Sequence, residues 1–184
     1  KTFLILVIVA LHAITASASE RSFEIVFGAD VANTNTLTNA DFVEKAVKSG
    51  KGYIAQVTSV VNVFPETDGI RLSSSKKNGK FNILLAEDAQ VVARRIVVNA
   101  SRYDNDRDAE AAIMLNSETL TVPSVAPADY TLAIPSRPEK TLTNLIVDAD
   151  HRLYIHSITV YYDDSQGTVD PEVETVATPA IIPG

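Results

Sequence analysis

Between Tyr53 and Tyr162, apolar residues recur at every second position in short runs that are separated by polar turns. Alternate residues of a β-strand point to the same face, so this period predicts strands with one buried face. The runs lie at 53–64, 69–74, 81–85, 91–103, 111–115, 119–122, 130–134, 142–148 and 153–162. Short strands at this regular spacing predict an all-β fold, a two-sheet antiparallel β-sandwich of the jelly-roll type.

The start of the chain has a different pattern. Lys1 and Thr2 precede an apolar run at 3–11, and the small residues Ala16-Ser17-Ala18 follow it. A positive start, a short apolar run and an A-x-A site are typical of a secretory signal peptide. The run is shorter than the about 20 residues that cross a bilayer. We therefore expect cleavage after Ala18 and a secreted, extracellular protein, with a retained hydrophobic helix as the alternative.

These patterns divide the chain into four segments. We expect a signal peptide at 1–18, an N-terminal extension at 19–39, the sandwich domain at 40–162 and a loose C-terminal tail at 163–184. The extension contains a weakly alternating strand at 22–27. One short helix is predicted at the start of the domain, from a cap at Asn39 to a stop at Gly50.

The composition of the chain excludes several kinds of site and argues against two classes of partner. The chain is 46% hydrophobic, which is enough for a real core, and it has no cysteine, which excludes disulfides, zinc–thiolate sites and cysteine nucleophiles. The net charge of −7 argues against nucleic acid and against anionic membrane surfaces as partners, because both require clustered Lys or Arg. After signal cleavage we therefore expect no membrane association.

Catalytic patterns do not emerge from the chain. It has no G-x-S-x-G elbow and no glycine-rich phosphate loop. His12 leaves with the signal peptide, while His151 and His156 are five residues apart and would face opposite sides of a continuous strand. We therefore expect a protein that is not an enzyme and needs no organic cofactor.

One acidic turn is a candidate for calcium. Asp104, Asp106 and Asp108 place three carboxylates within five residues, and such oxygen clusters bind Ca²⁺. Arg107 in the same turn opposes a cation, and the glycine and glutamate of an EF-hand loop are absent. A solvated turn is the favoured interpretation, and a structural Ca²⁺ is the alternative.

Tyrosines beside charged residues are the candidates for a binding site. Sugar faces stack on aromatic rings, and sugar hydroxyls pair with charged or amide groups. The candidates lie near the ends of predicted strands and are Arg102, Tyr103, Asp104, Asp129, Tyr130, Arg152 and Tyr154. The alternative is that these tyrosines only border the core.

Three segments carry a family resemblance. Residues 69–76 (GIRLSSSK), 96–100 (IVVNA) and 154–162 (YIHSITVYY) resemble, in the same order, a jelly-roll module of secreted bacterial extracellular proteins. Ser73 stands where that module usually has glycine. The resemblance implies a sandwich similar to galactose-binding-like domains and carbohydrate-binding modules.

The resemblance and the tyrosines together predict a non-catalytic module that binds a glycan or a cell-surface polymer, with a role in adhesion. The alternative is a structural or self-assembling surface protein. In that case the apolar end of the tail, 176–183, would add to the sheet edge of a neighbouring molecule.

Overall fold

A computed structural model of the chain describes residues 19–32, 35–74, 77–104, 111–134 and 140–163. Most of these residues lie in β-strands that form two antiparallel sheets, so the predicted all-β two-sheet sandwich is confirmed. The predicted signal peptide and all of the predicted tail except Asp163 lie outside the described residues. Both assignments stay predictions.

The larger sheet has seven strands: β1 Glu20–Phe27, β2 Val47–Ser49, β4 Val63–Glu66, β5 Gly69–Leu72, β7 Ala93–Arg102, β10 Ala128–Ala133 and β12 Leu153–Asp163. Their order is β10-β7-β12-β1-β2, and the β4–β5 hairpin pairs with β12 through β5. The smaller sheet has five strands: β3 Ile54–Val61, β6 Gly79–Leu85, β8 Ala112–Leu115, β9 Glu118–Thr121 and β11 Asn144–Ala149. Their order is β3-β6-β11-β8-β9.

The core lies between the two sheets and follows the period-two pattern. In β6, Phe81, Ile83 and Leu85 are buried, while Lys80 before them and Leu84 between Ile83 and Leu85 are exposed. Phe27 and Phe42 pack against Phe81 with ring centroids 6.0 Å and 5.1 Å away. Burying side chains of this size stabilises the fold by about 1.5–3 kcal/mol each. The alternation therefore has a direct energetic cause.

Strand β1 belongs to the sandwich. It pairs with β12 from Glu20↔Asp163 to Val26↔Ser157, and Phe23, Ile25 and Phe27 are buried in the core. The larger sheet therefore includes residues 20–27, which lie within the predicted N-terminal extension at 19–39. The local alternation of 22–27 predicts a strand, but the partner strand lies at the other end of the chain.

The helical region is shorter than predicted. Helix α1 spans Phe42–Ala46, and Val47 already begins β2. Asn39 does not cap the helix, because Asp41 occupies the N-cap position and the Asn39 Oδ1 atom accepts a hydrogen bond from the Val60 backbone N–H (2.9 Å). Two 3-10 helices, Lys51–Tyr53 and Glu87–Ala89, are the other helical turns described. No helix in the described ranges is long and apolar enough to span a membrane.

The Asn78-Gly79 pair does not form the hairpin turn that its sequence favours. Gly79 is already the first residue of β6, β5 and β6 belong to different sheets, and an isolated bridge between Ser74 and Lys77 precedes the pair. A Cβ atom on Gly79 would lie 2.1 Å from the Ser73 backbone nitrogen. Glycine is therefore required here for a close backbone approach where the chain crosses between sheets.

Candidate functional site

Aromatic and arginine side chains share one end of the outer face of the seven-stranded sheet. We call Phe64, Arg71, Tyr103, Arg152 and Tyr154 the aromatic–arginine platform. Across the sheet, Phe64 pairs with Arg71 and Arg71 with Tyr154. Tyr103 follows the end of β7, the strand on the other side of β12. The platform therefore crosses β4, β5, β12 and the end of β7.

The platform alternates rings and guanidinium groups. The Tyr103 and Tyr154 rings are stacked, with centroids 6.0 Å apart and planes inclined by 20°. The Arg152 Cζ atom lies 4.0 Å from the centre of the Tyr103 ring, and the Arg71 Cζ atom lies 4.1 Å from that of Phe64. Such cation–π contacts contribute about 0.5–2 kcal/mol each. They hold the planar groups in fixed orientations.

Charge and burial set the chemistry of the platform. The Arg71 Nε atom donates to the Glu66 Oε1 atom (3.0 Å). The pKa of the Tyr154 phenol is raised, first by burial and then by the nearby Glu66 carboxylate and Tyr103, while Arg71 and Arg152 oppose the rise. The phenol therefore stays protonated at neutral pH and can donate a hydrogen bond.

A histidine and a serine lie beside the platform. The His156 Nδ1 atom is 2.6 Å from the Asp68 carbonyl oxygen, and Nε2 is 3.1 Å from the Ser101 hydroxyl. A carbonyl oxygen only accepts, so Nδ1 donates to Asp68, and in the neutral imidazole Nε2 accepts from the Ser101 hydroxyl. Ser101 is only 4% exposed. The pair therefore ties β7, β12 and the β4–β5 turn together, and its hydroxyl is closed to a substrate.

Three of the predicted ligand-binding residues meet on the platform, namely Tyr103, Arg152 and Tyr154. Arg102 braces its edge, because its side chain donates to the Pro123 carbonyl oxygen (3.0 Å) and to that of Tyr103 (3.1 Å). Asp104 is the next residue after Tyr103.

The two candidates on β10 separate. Tyr130 packs against the core, and its hydroxyl accepts from the Ser124 backbone N–H (3.3 Å), so it does not join the platform. Asp129, next to it in the strand, faces outward and accepts from the Asn99 side chain (2.6 Å). Asn99 lies two residues along β7 from Ser101, so Asp129 shares the outer face with the platform but belongs to another row.

Sequence reasoning missed Phe64, Glu66, Arg71 and the role of His156. Arg71 lies between the buried Ile70 and Leu72, so its outward direction was readable from the alternation. Its pairing with Tyr154 was not readable, because β5 and β12 are joined only in the folded sheet.

The calcium prediction is not tested by the structure. Asp104 is described, but Asp106 and Asp108 lie outside the described residues. Within the described part of the chain, no group of three His, Asp or Glu side chains is arranged to hold a metal ion. His151 contacts its neighbour Asp150 (2.8 Å) and does not join His156 in a shared site.

Comparison of the chain with protein-family models, with curated proteins and with solved structures finds no match. Any functional assignment therefore depends on the geometry of the chain itself.

Proposed function

We propose that the protein is a secreted, non-catalytic binding module whose aromatic–arginine platform binds a glycan or a cell-surface polymer. The observation that supports this function is the stacked pair Tyr103 and Tyr154, with Arg152 over one ring. Apolar sugar faces stack on such rings, and sugar hydroxyls or carboxylates pair with guanidinium groups and with a protonated phenol.

The extent of the platform favours a polymer over a single sugar. Neighbouring strands lie about 4.8 Å apart, so the four adjacent strands β4, β5, β12 and β7 span about 14 Å. Secretion is supported by the signal-peptide pattern at 1–18. The resemblance of 69–76, 96–100 and 154–162 to a jelly-roll module of secreted bacterial extracellular proteins supports the same function, including a role in adhesion.

A glycan array followed by titration calorimetry tests this proposal. Tyr154→Ala should weaken binding of the best polysaccharide by about tenfold or more, ~1.4 kcal/mol, because it removes half of the stacked pair. The matched control is Tyr161→Ala, on the same strand and the same face but outside the platform, where the ring contacts Arg95 (3.5 Å). That variant should bind as the unaltered protein does.

Two results would contradict glycan binding at the platform. One is the absence of binding to any polysaccharide on the array. The other is an equal loss of affinity in Tyr154→Ala and Tyr161→Ala, with circular dichroism showing that both variants are folded.

One observation favours a second function, a self-assembling surface protein. The outer face of the five-stranded sheet exposes Val61, Leu84, Met114 and Ile146, each with 40–48% of its surface accessible. Exposed apolar side chains that share one face are a feature of protein–protein contacts. We propose this face, together with the tail beyond Asp163, as the alternative site of action, and the oligomeric state of the protein tests it.

A further inference from the structure

A cleft opens between the two sheets, away from the platform. The cleft lies beside the first residues of β7, and the platform lies beside its last residues. At about 3.3 Å per residue along the strand, the two sites are some 25–30 Å apart. The volume of the cleft is about 380 Å³. The apolar part of its wall comes from Ala93, Ile96, Leu132, Ile134 and Leu142.

The backbone around the cleft is held by hydrogen bonds. Ile134 N–H donates to the Arg94 carbonyl oxygen (3.0 Å), and Leu142 N–H donates to that of Val91 (2.8 Å). On the opposite wall, the Asn116 side chain donates to the Asn144 carbonyl oxygen (3.0 Å) and accepts from Ile146 N–H (2.7 Å). The walls are therefore tied to the sheets, and a ligand would meet a preformed site.

The charges at the cleft cancel. Arg94, Glu118 and Lys140 are its charged lining residues. Arg94 is paired with Asp163, with Nη2 and Oδ2 2.5 Å apart, and the other two residues carry opposite signs. All three residues are exposed, so an ionised ligand group would meet no buried counter-charge in the cleft, and burying a charge without a partner is costly.

We propose that this cleft binds a small neutral amphipathic molecule, with an apolar chain or ring and a hydroxyl or amide end. The apolar wall fits the chain or ring, and Thr141, Thr143 and Asn144 in the lining supply polar groups for the other end. The volume lies within the range of about 300–1,000 Å³ that is usual for small-molecule sites. This site goes beyond the proposed glycan-binding function and is independent of it.

Nile red, a neutral apolar dye that fluoresces when it leaves water, tests the site. The protein should bind it saturably, and Leu132→Trp should weaken binding by about tenfold or more because indole fills the cleft. The matched control is Thr131→Trp, at the adjacent exposed position of β10 on the other face of the sheet. Thr131→Trp and the platform variant Tyr154→Ala should both bind as the unaltered protein does.

The head-group preference is measured by displacement of the dye. Octanol should displace Nile red about tenfold more effectively than octanoate or octylamine, which have the same chain length and opposite charges. If Leu132→Trp loses its cooperative thermal transition, Thr141→Trp at the exposed mouth replaces it, with the same expected loss of binding.

The inference is overturned if the unaltered protein shows no saturable dye fluorescence. It is also overturned if folded Leu132→Trp, or Thr141→Trp where that variant replaces it, binds the dye as tightly as Thr131→Trp. Equal displacement by octanol and by either charged probe would refute the neutral ligand class.

Discussion

Gly50 joins β2 to the following 3-10 helix in a left-handed conformation, with a φ of 81°. A Cβ atom at this position would lie 2.3 Å from the Glu24 carbonyl oxygen of β1. Gly50 is therefore constrained in two ways. Its backbone angle is one that residues with a side chain disfavour, and a Cβ atom would clash with the backbone of β1, which cannot move freely. Gly52, two residues later, has no heavy atom within 4 Å of the same position and no positive φ.

We predict that Gly50→Ala lowers the free energy of unfolding by about 1–3 kcal/mol, since strain in this region of backbone space has that size. Gly52→Ala should leave stability unchanged or raise it by about 0.4–1 kcal/mol, because it restricts only the unfolded chain. Urea denaturation of both variants gives the comparison. Equal stability of the two variants would show that the β1 contact does not constrain Gly50.

Glu20 illustrates an electrostatic effect at the same scale. Its carboxylate accepts two hydrogen bonds from Arg95, at 2.8 Å and 3.2 Å. These hydrogen bonds are the main reason that the pKa of Glu20 is lowered below its usual 4.5. A carboxyl whose pKa is lower in the folded state stabilises the fold above its unfolded pKa. That stabilisation is lost as pH falls through the folded value.

We therefore predict that Glu20→Gln lowers the Tm at pH 7, and that its difference from the unaltered protein shrinks as pH falls below 4.5. Thermal melts across this pH range provide the measurement. Glu24→Gln is the control, because Glu24 lies on the same strand and face but accepts from Thr159 (3.4 Å) and not from an arginine. A Tm difference that stays constant with pH would contradict the ion-pair explanation.

At the scale of elements, β12 organises the seven-stranded sheet. One of its edges pairs with β7, and the other is shared between β5 near Leu153 and β1 toward Asp163. Strands from the beginning, middle and end of the chain therefore meet on one strand. The same arrangement brings Arg71 of β5 beside Tyr154 and so builds the platform.

The contribution of β1 can be measured through Ile25, which is fully buried in the core. We predict that Ile25→Ala lowers the free energy of unfolding by about 2–5 kcal/mol, the cost of removing a large core side chain. Ser22→Ala, at an exposed position of the same strand, should change it by less than about 0.5 kcal/mol. If the two variants had equal stability, β1 would be an appendage and not part of the core.

At the scale of the whole molecule, the sandwich has two outer faces of different character. The seven-stranded face carries the rings and ion pairs of the platform and of Arg95 with Glu20. On the five-stranded face, the cross-strand row Met114–Asp148–Lys80–Val61 places apolar side chains at both ends of a charged pair. On the same face, Ile146 lies one row further along, two residues from Asp148 in β11. Leu84 lies two rows along, four residues from Lys80 in β6.

If this face mediates assembly, the protein should elute from a size-exclusion column as a dimer or larger species. We predict that Leu84→Lys with Met114→Lys then shifts it to the monomer, because two charges oppose burial of the face. Thr131→Lys on the other sheet is the control and should leave the elution unchanged. A monomer for the unaltered protein at its highest soluble concentration would remove the assembly function.

Much of the fold was readable from local pattern. The alternation in β6 and the break between β8 and β9 are examples, and Asn116 and Ser117 in that break adopt the positive φ values of 49° and 76° that suit a tight hairpin turn. These features depend on residues close in sequence, through side-chain direction and turn geometry.

The functional geometry depended on long-range pairing. The Asn-Gly pair at 78–79 is a hairpin signal by itself, yet the close approach of Ser73 gave its glycine another role. His156 meets Ser101 and Asp68 across 55 and 88 residues, respectively, and Arg71 meets Tyr154 through a strand pairing. The alternation of apolar and polar residues predicts which side chains point inward. Which strands become neighbours depends on how both sheets pack over one core, and no local pattern encodes that pairing.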